Sequence, residues 1–193
     1  MPILTENEIR AFSSNRVTLN ESRTYQSREG KLFSAKEQKH TTVFLSHSHG
    51  DKEIVADTVN LISKVGVDVY VDWQDDAMPV TTSGVTAAGL KKQIKACDKF
   101  VLLASPDAIR SNWVNWELGY GDSVKYIEHI ALFPFLKGSG TANWKDAEYL
   151  QIYPYIEKEE EMQLVNYSYQ MVATFYVRYP DGRKVALKNW LKA

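Results

Sequence analysis

The sequence predicts an α/β protein with an open parallel sheet of five strands and helices on both faces. From Thr41 onward, short apolar runs alternate with stretches whose apolar residues recur at helical spacing. Alternation at this spacing implies right-handed crossovers between parallel strands, so both faces of the sheet are covered. The length of 193 residues fits one domain with appendages, and 44% hydrophobic and 24% charged residues are typical of a globular chain.

The predicted elements follow in order between residues 41 and 157. The first strand covers Val43 to Leu45, and a helix beginning near Asp51 carries apolar residues at helical spacing until Gly66 ends it. The later elements are a strand at Val67 to Val71, a helix at Val85 to Ala96, a strand at Phe100 to Ala104, a helix at Ser111 to Tyr126, a strand at Ile130 to Leu136 and a fifth strand at Tyr149 to Ile156.

Both ends of the chain depart from this alternation. Residues 1–40 form a polar N-terminal extension, in which Thr5 and Glu8 have the spacing of a helix capping box. Residues 158–193 form a C-terminal extension, in which Asp181-Gly182 between two β-rich runs predicts a hairpin. The acidic run from Glu157 to Glu161 is interpreted as a solvated helix face.

Composition argues against several classes of partner and compartment. With 23 basic and 24 acidic residues, the net charge of −1 lacks the basic excess that nucleic acid would require. The single cysteine, Cys97, allows no internal disulfide and is interpreted as a small buried hydrophobe. No signal peptide and no apolar run long enough to span a bilayer are recognised. We therefore expect a cytoplasmic protein with no membrane contact.

Two motifs carry the chemistry. The first strand runs into the loop VFLSHSHGD, which begins at Val43, and the third strand is followed by SNWVNWEL, which begins at Ser111 and contains Glu117. A carboxylate among indole rings is a candidate for catalysis, because burial against aromatic carbon raises a carboxyl pKa. Taken together, the two motifs resemble those of the Toll/interleukin receptor (TIR) domain family, over residues 41 to 157.

The resemblance implies a flavodoxin-like fold with strand order 2-1-3-4-5. In such a sheet ligands bind beyond the carboxyl ends of the strands, where the strand order reverses, so the two motifs should meet in one crevice. Candidate substrate-binding residues are those at these strand ends and on the following helix, namely Ser46, His47, Asp72, Trp73, Ser111 and Trp113. A metal site is not expected, because His47 and His49 lack further ligands at suitable spacing.

The resemblance also implies a reaction. Many TIR domains cleave the nicotinamide glycosidic bond of NAD with the glutamate that matches Glu117, so the chain is expected to be an NAD nucleosidase that makes an ADP-ribose-derived product. NAD is then the substrate, and no cofactor is needed. The family context further implies self-association through the TIR domain, a separate effector protein that responds to the product, and a role in bacterial antiphage defence.

Other functions stay open at this stage. The main alternative is a non-catalytic TIR interaction module that assembles with another TIR domain. A phosphoacceptor receiver shares the strand order but needs an acidic pair after strand one, where this chain has Ser46-His47-Ser48. A nucleoside glycosyltransferase is a further alternative. The helix position of Glu117 predicts that it is dispensable for folding, and the loop Gln74 to Val85 is expected to cover the pocket or reach a neighbouring protomer.

Overall fold

The protein was examined as a computed structural model, which describes residues 3–14, 41–72, 84–138, 144–165 and 167–193. Helices flank both faces of one sheet. In chain order the elements are β1 (Leu4–Thr5), α1 (Glu6–Ser14), β2 (Thr42–Ser46), α2 (Lys52–Ser63), β3 (Asp68–Tyr70), α3 (Gly84–Ala96), β4 (Lys99–Ala104), α4 (Pro106–Arg110), α5 (Asn112–Val124), β5 (Ile130–Leu136), β6 (Tyr155–Val165), β7 (Ser168–Arg178), β8 (Lys184–Ala186) and α6 (Leu187–Lys192).

The parallel part of the sheet has the predicted topology. Strands run in the order β3-β2-β4-β5-β6-β7-β8, and β2 to β6 correspond to predicted strands one to five, which confirms the order 2-1-3-4-5. The sheet is wider than predicted, with eight strands among the described residues. Antiparallel β7 and β8 extend it beyond β6, and β1 lies parallel to the end of β5.

Two hydrophobic cores cover the two faces of the sheet. Successive residues of β2 alternate between them, with Val43 and Leu45 in one core and Phe44 in the other. Helices α1, α2 and α6 contribute apolar residues to the first core, and α3, α4 and α5 contribute to the second. Helices α3 and α5 lie on the same face of the sheet, and residues from the N-terminal parts of both helices line one pocket.

Two predicted elements are wrong in detail. The predicted strand at Tyr149 to Ile156 begins with a short 3₁₀ helix, Glu148–Ile152, and becomes a strand only at Tyr155, after Pro154. The acidic run is no helix face, because it belongs to β6. There Arg178 bridges Glu157 and Glu159, and Lys184 contacts Glu159, so cross-strand cations favour the extended conformation.

Other local predictions are confirmed. The side chains of Thr5 and Glu8 each bond to the backbone N–H of the other, which completes the capping box of α1. The predicted hairpin is formed by β7 and β8, and Gly182 provides the positive φ of 90° in its turn. No helix among the described residues is long and apolar enough to cross a membrane.

Candidate active site

The carboxyl end of β2 meets α5 through a buried hydrogen bond. Ser46 is the last residue of β2, and its Oγ donates to Oε2 of Glu117 at 2.5 Å. Ser46 is 1% exposed and Glu117 is 3% exposed. The bond joins residues 71 positions apart, so the sheet topology brings the two sequence motifs into contact.

Burial controls the protonation of Glu117. Removal from water raises the pKa of its carboxyl to about 8, and the nearby Asp72 charge acts in the same direction. Hydrogen bonds from Ser46 and Trp113 favour the charged form but do not overcome burial. The carboxyl is therefore largely protonated at neutral pH, and a cation bound beside it would favour loss of that proton.

His47 and Asp72 lie next to this pair. The Nδ1 of His47 is 3.2 Å from the carbonyl oxygen of Leu45, and its Nε2 is 3.7 Å from a carboxylate oxygen of Asp72. Burial lowers the pKa of His47, so we assign a neutral ring that donates from Nδ1 to Leu45. The neutral Nε2 is then left to accept a proton or a hydrogen bond from a bound molecule.

Helix α5 presents aromatic rings to an open pocket that it forms with α3. The pocket has a volume of about 580 Å³ and is lined by Gly84, Ala87, Ala88, Lys91, Asn112, Trp113 and Trp116. The Trp113 and Trp116 ring centroids are 5.1 Å apart. Since Trp113 both lines the pocket and bonds to Glu117, it connects the cavity with the carboxyl group. Indole faces opposite small residues suit a flat ring.

The other predicted site residues have different outcomes. The Ser111 hydroxyl accepts from the backbone N–H of Val114 at 3.3 Å, so it caps α5 and thereby orients Trp113 and Glu117. Trp73 and residues 74–83 of the predicted covering loop lie outside the described residues, whereas Gly84 and Val85 belong to α3.

The sequence interpretation missed a polar network beside the site. The buried Asp51 carboxylate accepts from Ser105 Oγ at 2.5 Å and from Lys137 Nζ at 3.2 Å. Lys137 also contacts Asp107 at 3.0 Å and the carbonyl oxygen of Gly50 at 3.2 Å. This network joins the loops that follow β2, β4 and β5. The sequence could have indicated this network by position alone, because all three loops lie at the carboxyl ends of strands.

Of the residues that line the pocket, only Trp113 was predicted from the sequence as a site residue, and Lys91 and Trp116 were missed. Lys91 places its ammonium group over the rings of Trp116 and Tyr120, at 5.8 Å and 5.0 Å from their centroids. The helical spacing of Trp113, Trp116 and Tyr120 was the signal that could have revealed an aromatic helix face, whereas a lysine on α3 carried no signal. Among the described residues, no group of three or more His, Cys, Asp or Glu side chains is arranged to hold a metal ion.

Comparisons with known proteins agree with this architecture. The sequence profile of the TIR domain matches residues 43–165. The chain is 31% identical over 152 residues to a Bacillus cereus (strain MSX-D12) protein named "Probable 3' cyclic ADP-D-ribose synthase ThsB'", covering 78% of this chain and 75% of that protein. It is also 30% identical over 81 residues to "Putative cyclic ADP-D-ribose synthase TIR2" of Cytobacillus dafuensis, covering 40% of this chain and 21% of that protein.

The matched region contains both site motifs and strands β2 to β6. The profile covers well over half of the chain, and the Bacillus cereus relative is matched over three quarters of its own length. This chain belongs to the Toll/interleukin receptor (TIR) domain family.

Proposed function

We propose that this protein cleaves the nicotinamide glycosidic bond of NAD and closes the ADP-ribose moiety into a cyclic product. The observation that carries the proposal is the buried Glu117 carboxyl, which accepts from Ser46 and lies on the same helix as the two tryptophans whose indole rings line the pocket. The names of the two relatives support the same reaction class, because each describes a cyclic ADP-D-ribose synthase.

The proposed chemistry needs no proton donor. When the glycosidic bond breaks, both of its electrons go to the ring nitrogen, so cationic nicotinamide leaves as a neutral molecule. Positive charge develops on the ribose, and ionised Glu117 stabilises it electrostatically. The cationic ring of bound NAD favours ionisation of Glu117, so the substrate itself generates the active carboxylate.

The second step determines the product. A hydroxyl of the same ADP-ribose attacks the cationic carbon and loses its proton, which gives a cyclic product, whereas attack by water gives linear ADP-ribose. The cyclic product is favoured when the substrate is held with its own hydroxyl against the cationic carbon, because water then cannot reach that carbon. In the proposed mechanism the neutral Nε2 of His47, which lies 3.7 Å from Asp72, accepts the proton released by the attacking hydroxyl.

The test is incubation of the purified chain at high concentration with NAD, followed by mass spectrometry of the products. We expect free nicotinamide and a product one water lighter than ADP-ribose. Folded Glu117→Gln should release no nicotinamide, because the amide cannot supply the negative charge. Equal nicotinamide release by that variant would refute the role of Glu117. No release by the wild-type chain would favour the alternative of a non-catalytic interaction module.

We further propose that the cyclic product is a signal, read by a separate effector protein in bacterial antiphage defence. The products expected of this site support a signalling role, because a cyclic nucleotide differs in shape from NAD. Bacteria that carry the wild-type gene and a candidate effector gene would be challenged with phage. Protection should disappear with Glu117→Gln, and protection that persists with this variant would separate defence from catalysis.

A further inference from the structure

The hairpin formed by β6 and β7 projects beyond the body of the sheet. Each strand has 11 residues, but β6 pairs with β5 only at Tyr155 among the described residues. At its base Ile156 and Val177 are buried in the core, and Phe175 packs against Phe12 with ring centroids 5.3 Å apart. The same face of the hairpin continues outward past this support.

The outer part of that face is apolar. Met162 pairs with Met171 and Leu164 pairs with Tyr169, so these four side chains share the face that is buried at the base. We call them the apolar tip. Each of the four is between 58% and 72% exposed. The opposite face is polar at the same level, where Gln163 is paired with Gln170.

We propose that the apolar tip is a self-association surface, covered by the apolar tip of a second copy of this chain in a two-fold symmetric dimer. The proposal is independent of the enzymatic function. An isologous contact brings the same patch from both copies together, so each tip supplies the uncharged apolar counterpart that the other requires.

The distribution of exposed apolar residues favours a second copy. The remaining large exposed hydrophobic residues in the described part of the chain are Val85, Val124, Tyr126, Tyr149, Ile152 and Tyr167, and Tyr167 belongs to the hairpin turn. Along the chain the others form at most pairs, Val124 with Tyr126 and Tyr149 with Ile152, so none of them supplies four neighbouring apolar side chains. A contact between the tip and another surface of the same protein would therefore lack a matching patch.

Area and charge are consistent with a reversible dimer. The four side chains expose roughly 600 Å², compared with about 800 Å² buried per partner in a standard interface. Nearby charge is already compensated, because Lys158 contacts Glu160 at 3.5 Å and Glu8 at 2.6 Å. The acidic residues of β6 disfavour an anionic membrane as the covering surface.

The test is sedimentation of the full chain over a wide concentration range. We expect reversible dimerisation, and Met162→Glu should raise the dissociation constant at least tenfold, because two like charges would meet in an apolar contact. Gln170→Glu is the matched control, since it adds the same charge to the polar face of the same hairpin. It should leave the dissociation constant within about twofold of wild type.

Opposite charges introduced at Met162 test whether the surface that covers the apolar tip belongs to a second copy of this chain. Met162→Lys should dimerise as poorly as Met162→Glu, whereas an equimolar mixture of the two should form a heterodimer. Circular dichroism would verify that both variants fold. Wild-type chain that remains monomeric at all concentrations would overturn the proposal, and its binding to phosphatidylcholine or phosphatidylglycerol vesicles would assign the tip to a membrane. Equal weakening by Gln170→Glu, or no heterodimer in the mixture, would also overturn it.

Discussion

Glu117 links protonation with folding. Its pKa is raised from 4.5 to about 8 in the folded chain, so the unfolded chain releases this proton first as the pH rises. Between these two values each pH unit therefore lowers the free energy of unfolding by up to about 1.4 kcal/mol. The sequence-based prediction that Glu117 is dispensable for folding therefore has to be tested at a stated pH, because the side chain is only 3% exposed.

Glu117→Gln is accordingly expected to stabilise the protein while abolishing turnover. The variant keeps the shape of the protonated carboxyl but has no proton to lose, so its gain in melting temperature should be small near pH 4.5 and largest near pH 8. Thermal melts of both proteins across this range provide the measurement. A constant difference at all pH values would show that Glu117 titrates normally.

The pH dependence of catalysis tests the same group. If ionised Glu117 is the active form, kcat/KM should rise with pH to a plateau above about 8, which reports the free enzyme. The profile of kcat should rise at lower pH, because the bound nicotinamide cation favours ionisation. Rate profiles with NAD would verify both, and a kcat/KM that falls over this range would contradict the carboxylate mechanism.

Ser46→Ala should move the profile in a defined direction. The hydroxyl of Ser46 donates to Glu117 and lowers the pKa of that carboxyl, so its loss should shift the rise in kcat/KM to higher pH. Ser48→Ala is a suitable control, because that hydroxyl accepts from the backbone of Gly50 and has no contact with Glu117. If the pH profile of kcat/KM is unshifted in folded Ser46→Ala, Ser46 contributes to packing and does not influence the pKa of Glu117.

At the level of the elements, the sequence predicted the parts governed by local pattern. Strand β5 was predicted with its observed ends, because its apolar run is continuous and Lys137 and Gly138 follow it. Strand β6 was predicted to end at Ile156, and its extension to Val165 was missed, because Glu157 and Glu159 are held by cations more than 18 residues away. The Ser46–Glu117 contact was predictable from topology, whereas the Asp51 network depends on side-chain distances that no spacing encodes.

The loops around the site depend on that network. Lys137→Met would remove a cation from the buried Asp51 carboxylate and leave it the hydrogen bond from Ser105, so we expect a loss of about 1–3 kcal/mol in the free energy of unfolding. Adding Asp51→Asn should recover part of this loss, because the buried charge is then removed. Denaturant unfolding gives the measurement, and Arg110→Met, which breaks an exposed pair, is the control.

At the scale of the whole molecule, the side chains of the described residues that could bind a metal ion predict that the reaction needs none. Because no set of three suitable ligands occurs there, EDTA should leave the rate of nicotinamide release unchanged. The control is the same assay with added magnesium, which should also leave the rate of nicotinamide release unchanged. A loss of turnover in EDTA that a divalent ion restores would place a metal in the reaction.

Assembly is expected to control activity, because a constitutively active NAD-cleaving enzyme would exhaust its host. Specific activity should therefore rise with protein concentration over a hundredfold range, as dimer replaces monomer by mass action. Two variants distinguish an effect of the hairpin dimer from an effect of the loop at the pocket. Met162→Glu is designed to weaken the hairpin dimer, and Met78→Asp places a charge in the loop expected to cover the pocket.

If the hairpin dimer brings the sites together, Met162→Glu should shift the half-maximal concentration upward at least tenfold while keeping the plateau, since each site stays intact. Met78→Asp should lower the plateau, because the loop that contains it is expected to cover the pocket. Gln170→Glu should behave as wild type in both respects. A specific activity that stays flat over the range would instead indicate a self-contained monomeric site, and activity regulated by a ligand or by another protein.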